Sequence, residues 1–167
     1  MKQPLIVVGR SGIGTTIVVY RQATSSPKQR SALVTMATIE RFIPHSLTRD
    51  WGEELIVAET SQYLGKVLIM RAGTKGGLQY HTEKDETFYL YSGIALVRFD
   101  SGTGLVATSM CAGESYHIPP GAVHQVEAVT RCVFFETSTP HYDDRVRMEA
   151  HYGLPEGGGL PTTRVGA

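Results

Sequence analysis

Short runs in which hydrophobic and polar residues alternate fill most of the chain after residue 50. In the run IALVRFD (Ile94–Asp100), Val97 and Phe99 fall on one face, and Leu96 and Arg98 fall on the other. A period of two residues is typical of a half-buried β-strand. Similar runs, separated by Gly, Pro, Asp and Ser, predict strands at 54–59, 64–71, 78–82, 87–91, 95–100, 105–110, 115–118, 125–129 and 132–137.

The succession of many short strands indicates an all-β sandwich or barrel, because a parallel α/β fold would need helices between its strands. We expect only one weak helix, near residues 32–39. The segment 21–30 is polar and aperiodic, and Pro and Gly interrupt the chain after residue 137. We therefore predict a leader or flexible arm over residues 1–30, a barrel with its closing arm over 31–154, and a disordered tail over 155–167.

The amino-acid composition limits the partners and the cellular compartment that we expect for this protein. A chain of 167 residues with 41% hydrophobic residues can bury the core of one domain. Sixteen Lys and Arg balance sixteen Asp and Glu, so no net field draws the protein to nucleic acid or to an anionic membrane. Cys111 and Cys132 form no CxxC pair and predict free thiols, and no apolar run has the length of about 20 residues that spans a bilayer. We expect a cytoplasmic protein that binds a small molecule.

The residues with candidate chemistry are concentrated in two segments. Gln79, His81 and Glu83 are spaced two apart and share one face of a predicted strand, and Glu86 follows a turn at the start of the next strand. A Pro-Pro-Gly turn then limits the directions open to His124. Imidazole nitrogens and carboxylate and amide oxygens suit a divalent first-row ion. These two segments therefore predict one metal site.

The spacing of these residues resembles the two motifs of the cupin superfamily. The first motif is matched by Gly73, Gln79, His81, Glu86 and Gly93, and the second by Gly113, Pro119, Gly121 and His124, with Ala128 where Asn is usual. The resemblance implies an all-β jelly-roll barrel (double-stranded β-helix) with irregular terminal arms. It also implies one divalent ion bound by Gln79, His81, Glu86 and His124.

Gln in place of the usual first His is similar to the metal set of phosphomannose isomerases. The likeness covers residues 43–154 and includes Trp51-Gly52, a DD-x-VR segment at 143–147 and a Tyr-Gly pair at 152–153. It favours zinc or manganese, with iron and nickel as alternatives. Glu83 departs from the family, in which a second nearby His is usual. The charged segment at 143–147 is typical of a solvated arm; the alternative is an arm that closes over the barrel mouth or a neighbouring protomer.

The resemblance implies a metal-dependent isomerase of a sugar or sugar phosphate. Glu83 is our candidate for the group that moves the proton; a fifth metal ligand and a solvated carboxylate are the alternatives. Lys75, Lys84 and Arg98 are candidate anchors for phosphate or hydroxyl groups. Two other functions stay open, a metal-dependent dioxygenase or decarboxylase and a non-catalytic sugar-binding protein. We also expect a homodimer, because cupin barrels usually pair through an edge or an exchanged strand.

Overall fold

The computed structural model describes residues 6–10, 16–20 and 38–160, and every regular element in these ranges is a β-strand. The strands are β1 (Ile6–Arg10), β2 (Thr16–Tyr20), β3 (His45–Arg49), β4 (Gly52–Glu59), β5 (Leu64–Met70), β6 (Gln79–His81), β7 (Glu86–Ser92), β8 (Ile94–Asp100), β9 (Leu105–Cys111), β10 (Ser115–Ile118), β11 (His124–Ala128), β12 (Cys132–Ser138) and β13 (Arg145–Arg147). No helix that could cross a membrane occurs in these ranges.

The strands predicted between residues 54 and 137 are all present, as β4 to β12, with ends that differ by one or two residues. Among the described residues from 38 to 160, two strands were not predicted. β3 has the sequence HSLTR with a single aliphatic side chain and is mostly exposed, and β13 is three residues long. Both lie at the edge of a sheet, where one neighbouring strand holds the backbone without an alternating apolar face.

The amino-terminal segment forms a unit of its own. β1 and β2 pair antiparallel, from Ile6 opposite Tyr20 to Arg10 opposite Thr16. This unit ends at Ile39 and the second begins at Glu40, and the domain bounds expected from the sequence stay a prediction. Most of the helix expected at 32–39 lies outside the described residues, and its last two residues are irregular.

The second unit consists of two antiparallel sheets packed on one core. The six-stranded sheet has the order β10-β7-β12-β5-β4-β3 and the five-stranded sheet the order β13-β6-β11-β8-β9. The fully buried Leu90 and Phe134 of the first sheet belong to the same core cluster as Val97 and Met110 of the second. The prediction of an all-β fold is confirmed. The sheets pack face to face and are not joined by a strand ladder into a closed barrel.

The inner face of the six-stranded sheet carries both apolar and charged residues. Met70, Leu90 and Phe134 pack in the core. Glu54, Lys66, Glu86 and Glu136 are also buried, each on a different strand, and the buried Ile56 and Leu64 lie among them. A site can form where these charged residues meet.

The chain beyond residue 154 keeps contact with the five-stranded sheet. The guanidinium of Arg147 in β13 donates hydrogen bonds of 2.9 Å to the carbonyl oxygens of Gly157 and Leu160. The N–H group of Gly157 also donates to Oε1 of Glu149 at 3.4 Å, so Arg147 and Glu149 both hold the described part of the predicted tail, residues 155–160. Residues 161–167 lie outside the described part of the chain. Cys111, which is exposed, and Cys132, which is buried, are both free thiols as predicted.

Gly93 is the point at which the chain leaves the six-stranded sheet, in β7, and enters the five-stranded sheet, in β8. Its φ angle is +103°, in the region that favours glycine. A Cβ atom there would lie 2.5 Å from the carbonyl oxygen of Arg131 and 2.8 Å from Sγ of Cys132. Both the backbone angle and the close packing against the start of β12 therefore require a residue without a side chain.

We expect Gly93→Ala to reduce the free energy of unfolding by about 3 kcal/mol, because backbone strain and steric overlap add. Gly102→Ala is the matched control, since Gly102 has a φ of +86° but open space around its Cβ position. The control should lose only about 1 kcal/mol from strain. Urea denaturation of both variants measures the difference, and equal losses would show that the overlap at Gly93 carries no cost.

Candidate metal centre

Three buried side chains bring possible metal-ligand atoms within 4.8 Å of one another: His81, Glu86 and His124. Each stands at the end of a strand, since β6 ends at His81, β7 begins at Glu86 and β11 begins at His124. Glu86 belongs to the six-stranded sheet and the two histidines to the five-stranded sheet. The cluster therefore forms between the sheets, and it depends on their packing.

Hydrogen bonds on the far side of each imidazole fix its orientation. Nδ1 of His81 lies 2.7 Å from Oδ1 of Asp144, and Nδ1 of His124 lies 2.9 Å from the carbonyl oxygen of Ala122. Both partners are acceptors, so each Nδ1 carries a proton. In a neutral ring the other nitrogen, Nε2, then has a free lone pair, as in a metal-binding histidine.

Oε1 of Glu86 completes the cluster and has no hydrogen-bond donor. It lies 3.1 Å from Nε2 of His124 and 3.8 Å from Nε2 of His81, and it is buried without a hydrogen-bond partner. With neutral rings, all three converging atoms are acceptors, and an unsatisfied buried acceptor costs about 1–3 kcal/mol. A divalent cation would satisfy all three atoms at once, and two imidazoles with a carboxylate form a suitable donor set that leaves positions open. The residues present therefore fit a metal ion.

Gln79 lies beside this cluster, as predicted. Its side-chain amide is 3.4 Å from Nε2 of His81, and its Cα is paired with that of His124 across β6 and β11. The oxygen and nitrogen of a glutamine amide exchange places by a half-turn of the group, so the same position offers an oxygen ligand. The structure thus brings the four predicted ligands together, and the ligand role of each stays a prediction.

Lys84 holds the other oxygen of Glu86. Its ammonium group donates to Oε2 of Glu86 and, at 2.6 Å, to Oε1 of Glu136. Burial would lower the pKa of Lys84, but Glu136 and Glu86 outweigh burial and raise it. Burial would likewise raise the pKa of Glu86, but the ammonium group of Lys84 outweighs burial and holds it well below its usual range. Glu86 is therefore a carboxylate with one oxygen on an ammonium and the other in the cluster.

The cluster opens into a cavity of about 300 Å³, large enough for a small organic molecule. One part of its wall is apolar and consists of Trp51, Leu68, Met70, Phe88, Val126 and Phe134. The other part contains a chain of alternating charges, here called the charge row, formed by Arg49, Glu54, Lys66, Glu136, Lys84 and Glu86.

Consecutive members of the charge row are in direct contact. Glu54 binds Arg49 Nε at 2.7 Å through Oε2 and Lys66 Nζ at 2.9 Å through Oε1. Lys66 Nζ also lies 3.3 Å from Oε1 of Glu136, the oxygen that Lys84 binds. Sequence reasoning missed the row as a unit, because most of its members stand on different strands and no local spacing connects them.

Glu83 is placed differently from the prediction. Its carboxylate is about half exposed, with Oε2 3.7 Å from Nε2 of His141, and Glu83 is not among the residues that line the cavity. β6 ends at His81, so the alternation that would have turned Glu83 inward stops there. Its catalytic role stays a prediction that this position does not support. Of the predicted anchors, Lys84 lines the cavity, whereas Lys75 and Arg98 do not.

Asp144 is the principal residue of the site that sequence reasoning did not assign. It is 2% exposed and belongs to the segment that was expected to be a solvated arm. Oδ1 accepts the hydrogen bond from His81, and Oδ2 accepts from the backbone N–H groups of Glu83, at 2.9 Å, and Lys84, at 2.7 Å. Burial would raise the pKa of Asp144, but these donors outweigh burial and lower it.

The rest of the same segment agrees with the alternative that the arm closes over the barrel mouth. His141, Tyr142 and Asp143, on the stretch between β12 and β13, line the cavity, and so does Arg145, the first residue of β13. The signal for Asp144 in the sequence was the DD-x-VR segment, but its spacing does not say which aspartate turns inward. The contact with His81 spans more than sixty residues and depends on the pairing of β13 with β6.

We expect Gln79→Ala to weaken the affinity for zinc or manganese by about tenfold or more, because one of four ligands is lost. Competition with a chromophoric chelator measures the affinity of the purified protein. Gln62→Ala, a glutamine that does not line this cavity, is the control. Unchanged affinity in Gln79→Ala would show that Gln79 is a neighbour of the ion and not a ligand.

We expect Asp144→Asn to weaken metal affinity by about 10- to 100-fold while the ligands themselves stay intact, because the carboxylate orients His81 and increases its basicity. Asp143→Asn is a matched control at the exposed neighbouring position. The same chelator competition, together with a thermal melt of the metal-free proteins, measures both effects. Equal affinity in the two variants would contradict a role of Asp144 in holding the site.

Comparison with known proteins places this geometry in a family. Residues 38–149 match the family model described as mannose-6-phosphate isomerase C-terminal. The mannose-1-phosphate guanylyltransferase RfbM of Salmonella typhimurium is 28% identical over 111 residues, which are 64% of this chain and 22% of that protein. The chain thus corresponds to about a fifth of the length of this curated relative.

Solved structures show the same fold at low sequence identity. The capsular polysaccharide assembling protein CapF of Staphylococcus aureus aligns with a TM-score of 0.57 and 21% identity, over 64% of this chain and 32% of its own. A single-residue variant of the oxalate decarboxylase of Bacillus subtilis aligns with a TM-score of 0.58 and 15% identity, over 72% of this chain and 39% of its own. The predicted cupin fold is confirmed, and the chain belongs to the family of mannose-6-phosphate isomerase C-terminal domains.

Proposed function

We propose that this protein is a metal-dependent isomerase that interconverts the aldose and ketose forms of a sugar or sugar phosphate. The observation that carries the proposal is the convergence of three buried acceptor atoms, from His81, Glu86 and His124, at the wall of a ligand-sized cavity. A bound divalent ion would polarise a carbonyl group and the neighbouring hydroxyl group of such a substrate.

The charge row supports a ligand with many hydroxyl groups. Each hydroxyl both donates and accepts a hydrogen bond, and the row presents carboxylates and cationic groups in alternation along one part of the wall. The apolar part, which includes Trp51 and Phe88, limits the access of water. A polyol is the class of small molecule that fits both parts of the wall.

The balance of charge supports a phosphate group on that ligand. The cavity is lined by four carboxylates, of Glu54, Glu86, Glu136 and Asp143, and by four cationic residues, Arg49, Lys66, Lys84 and Arg145. A divalent ion at the cluster would give this balanced lining a positive excess, which favours an anion. Lys84, whose ammonium group already contacts Glu86, is placed to stabilise negative charge on a ligand oxygen near the cluster.

The family description and the RfbM relative, whose printed names refer to mannose 6-phosphate and mannose 1-phosphate, support the sugar phosphate class. The likeness to oxalate decarboxylase concerns the fold alone, so it adds nothing to the dioxygenase or decarboxylase hypothesis. A non-catalytic sugar-binding protein would bind the sugar phosphate without converting it, so an activity assay distinguishes it from an isomerase. The homodimer and the cytoplasmic location stay predictions from the sequence.

We expect purified protein loaded with zinc or manganese to interconvert mannose 6-phosphate and fructose 6-phosphate, and to lose this activity with a chelator. His81→Ala and His124→Ala should lower kcat/KM by about 100-fold or more, because each removes a ligand of the ion. His117→Ala, an exposed histidine outside the cavity, is the control and should keep its activity. NMR of the sugar mixture measures the conversion.

Two outcomes would contradict the isomerase. Oxygen consumption by an iron-loaded protein would favour the dioxygenase. Tight binding of the sugar phosphates, measured by calorimetry and without conversion under any of these metals, would favour the binding protein.

A further inference from the structure

The buried carboxylates of the cavity differ in how their oxygens are used. Glu54 has one cationic partner on each oxygen, Lys66 on Oε1 and Arg49 on Oε2. Glu86 has Lys84 on Oε2 and the histidine cluster on Oε1. Neither carboxylate has an oxygen left for a substrate without giving up a partner that the structure assigns to it.

Glu136 is different, because all its contacts are on one oxygen. Oε1 receives Lys84 Nζ at 2.6 Å, Lys66 Nζ at 3.3 Å and the hydroxyl of Ser138 at 3.2 Å. Oε2 has no hydrogen-bond partner within the described part of the chain. Glu136 is 4% exposed and lines the cavity, so the space available to a partner of Oε2 is the space that a ligand would fill.

Glu136 also lies close to the predicted metal ligands. β12 pairs with β7, and Glu136 is opposite Phe88, two residues after Glu86. The single ammonium group of Lys84 binds both carboxylates, Glu86 through Oε2 and Glu136 through Oε1. A substrate bound at the cluster would therefore have the unused oxygen of Glu136 beside it.

We propose that Glu136 is the catalytic residue that moves the proton between the two carbons during isomerisation. This inference rests on the proposed isomerase function. It replaces Glu83, whose carboxylate lies outside the cavity, with the buried carboxylate that has a free oxygen. Contacts with two ammonium groups are those of an ionised carboxylate, the form that accepts a proton.

The proton transfers balance without a further reactant. Oε2 of Glu136 takes the proton from C2 of the aldose. The electron pair of that C–H bond forms the C1–C2 double bond, and the π pair of the C1 carbonyl moves onto its oxygen, which gives an enediolate. The proton of the C2 hydroxyl passes to the oxygen on C1. Glu136 then returns its proton to C1 while the carbonyl forms at C2, which yields the ketose and restores the carboxylate.

Lys66 and Lys84 act on this residue as positioning residues. They bind the same oxygen of Glu136, which leaves the carboxylate only one orientation that keeps both contacts. Oε2 is therefore already oriented when the substrate binds, and the reaction needs no change of side-chain rotamer. The charge row thus holds Oε2 of Glu136 in one position and leaves it available to a substrate.

The test uses mannose 6-phosphate deuterated at C2 and the full-length, metal-loaded protein. NMR follows the rate at which the label leaves C2, whether the deuteron is lost to water or transferred to C1. Glu136→Gln keeps the shape of the side chain and an oxygen that can accept from the lysines, but it is not a base. We expect the rate to fall by about 100-fold or more, with metal content unchanged and the affinity for sorbitol 6-phosphate, which has no carbonyl group, unchanged within about threefold.

Glu127→Gln is the control, because it removes a carboxylate that pairs with Arg98 and does not line the cavity. Its label-release rate should stay within about tenfold of the wild-type rate. If Glu136→Gln does not fold, Glu136→Asp keeps the negative charge but withdraws the oxygens, and its rate should fall by about tenfold or more. Thermal melts of each metal-free variant report folding.

The outcomes separate this inference from the function on which it rests. Release of the label by wild type and its loss in Glu136→Gln, with metal and sorbitol 6-phosphate still bound, support the assignment. Release that persists in Glu136→Gln overturns the assignment of Glu136 and leaves the isomerase in place. No release by the metal-loaded wild-type protein overturns the isomerase and this inference with it.

Discussion

The site depends on one constraint: with both histidine rings neutral, three acceptor atoms are buried together. Nδ1 of His81 is used by Asp144 and Nδ1 of His124 by Ala122, so both Nε2 atoms face Oε1 of Glu86 as lone pairs. Such an arrangement is unfavourable unless a cation joins the three atoms. The hydrogen bonds behind the rings are therefore as much a part of the site as the ligands themselves.

Burial of the charge row costs free energy, and burial of apolar residues in the same sheet offsets this cost. Ions taken from water into a protein lose several kcal/mol of hydration each, and paired burial repays this only with close contacts. Every adjacent pair of the charge row is in contact. Core residues of the same sheet, such as Leu90 and Phe134, supply apolar burial. Buried ion pairs are often no better for stability than aliphatic residues of similar volume, so stability alone does not explain Lys66 and Glu136.

The carboxy-terminal arm connects the fold to the site. β13 adds to the edge of the five-stranded sheet beside β6, and this pairing places Asp144 behind His81. The same carboxylate receives the backbone N–H groups of Glu83 and Lys84, which fixes the turn between β6 and β7. Asp144 therefore orients His81, a predicted ligand, and holds the backbone at Lys84. The arm and the candidate metal centre thus depend on the same residue.

The sequence by itself determined the strands and most of the cluster. Period-two alternation located β4 to β12, and the spacing of the motifs that resemble the family located the predicted ligands Gln79, His81, Glu86 and His124. Only the tertiary structure decided the rest. Glu83 lies outside because β6 ends before it, while Asp144 and Glu136 join the site through strand pairings with β6 and with β7. Contacts between distant residues depend on strand register, which local spacing does not encode.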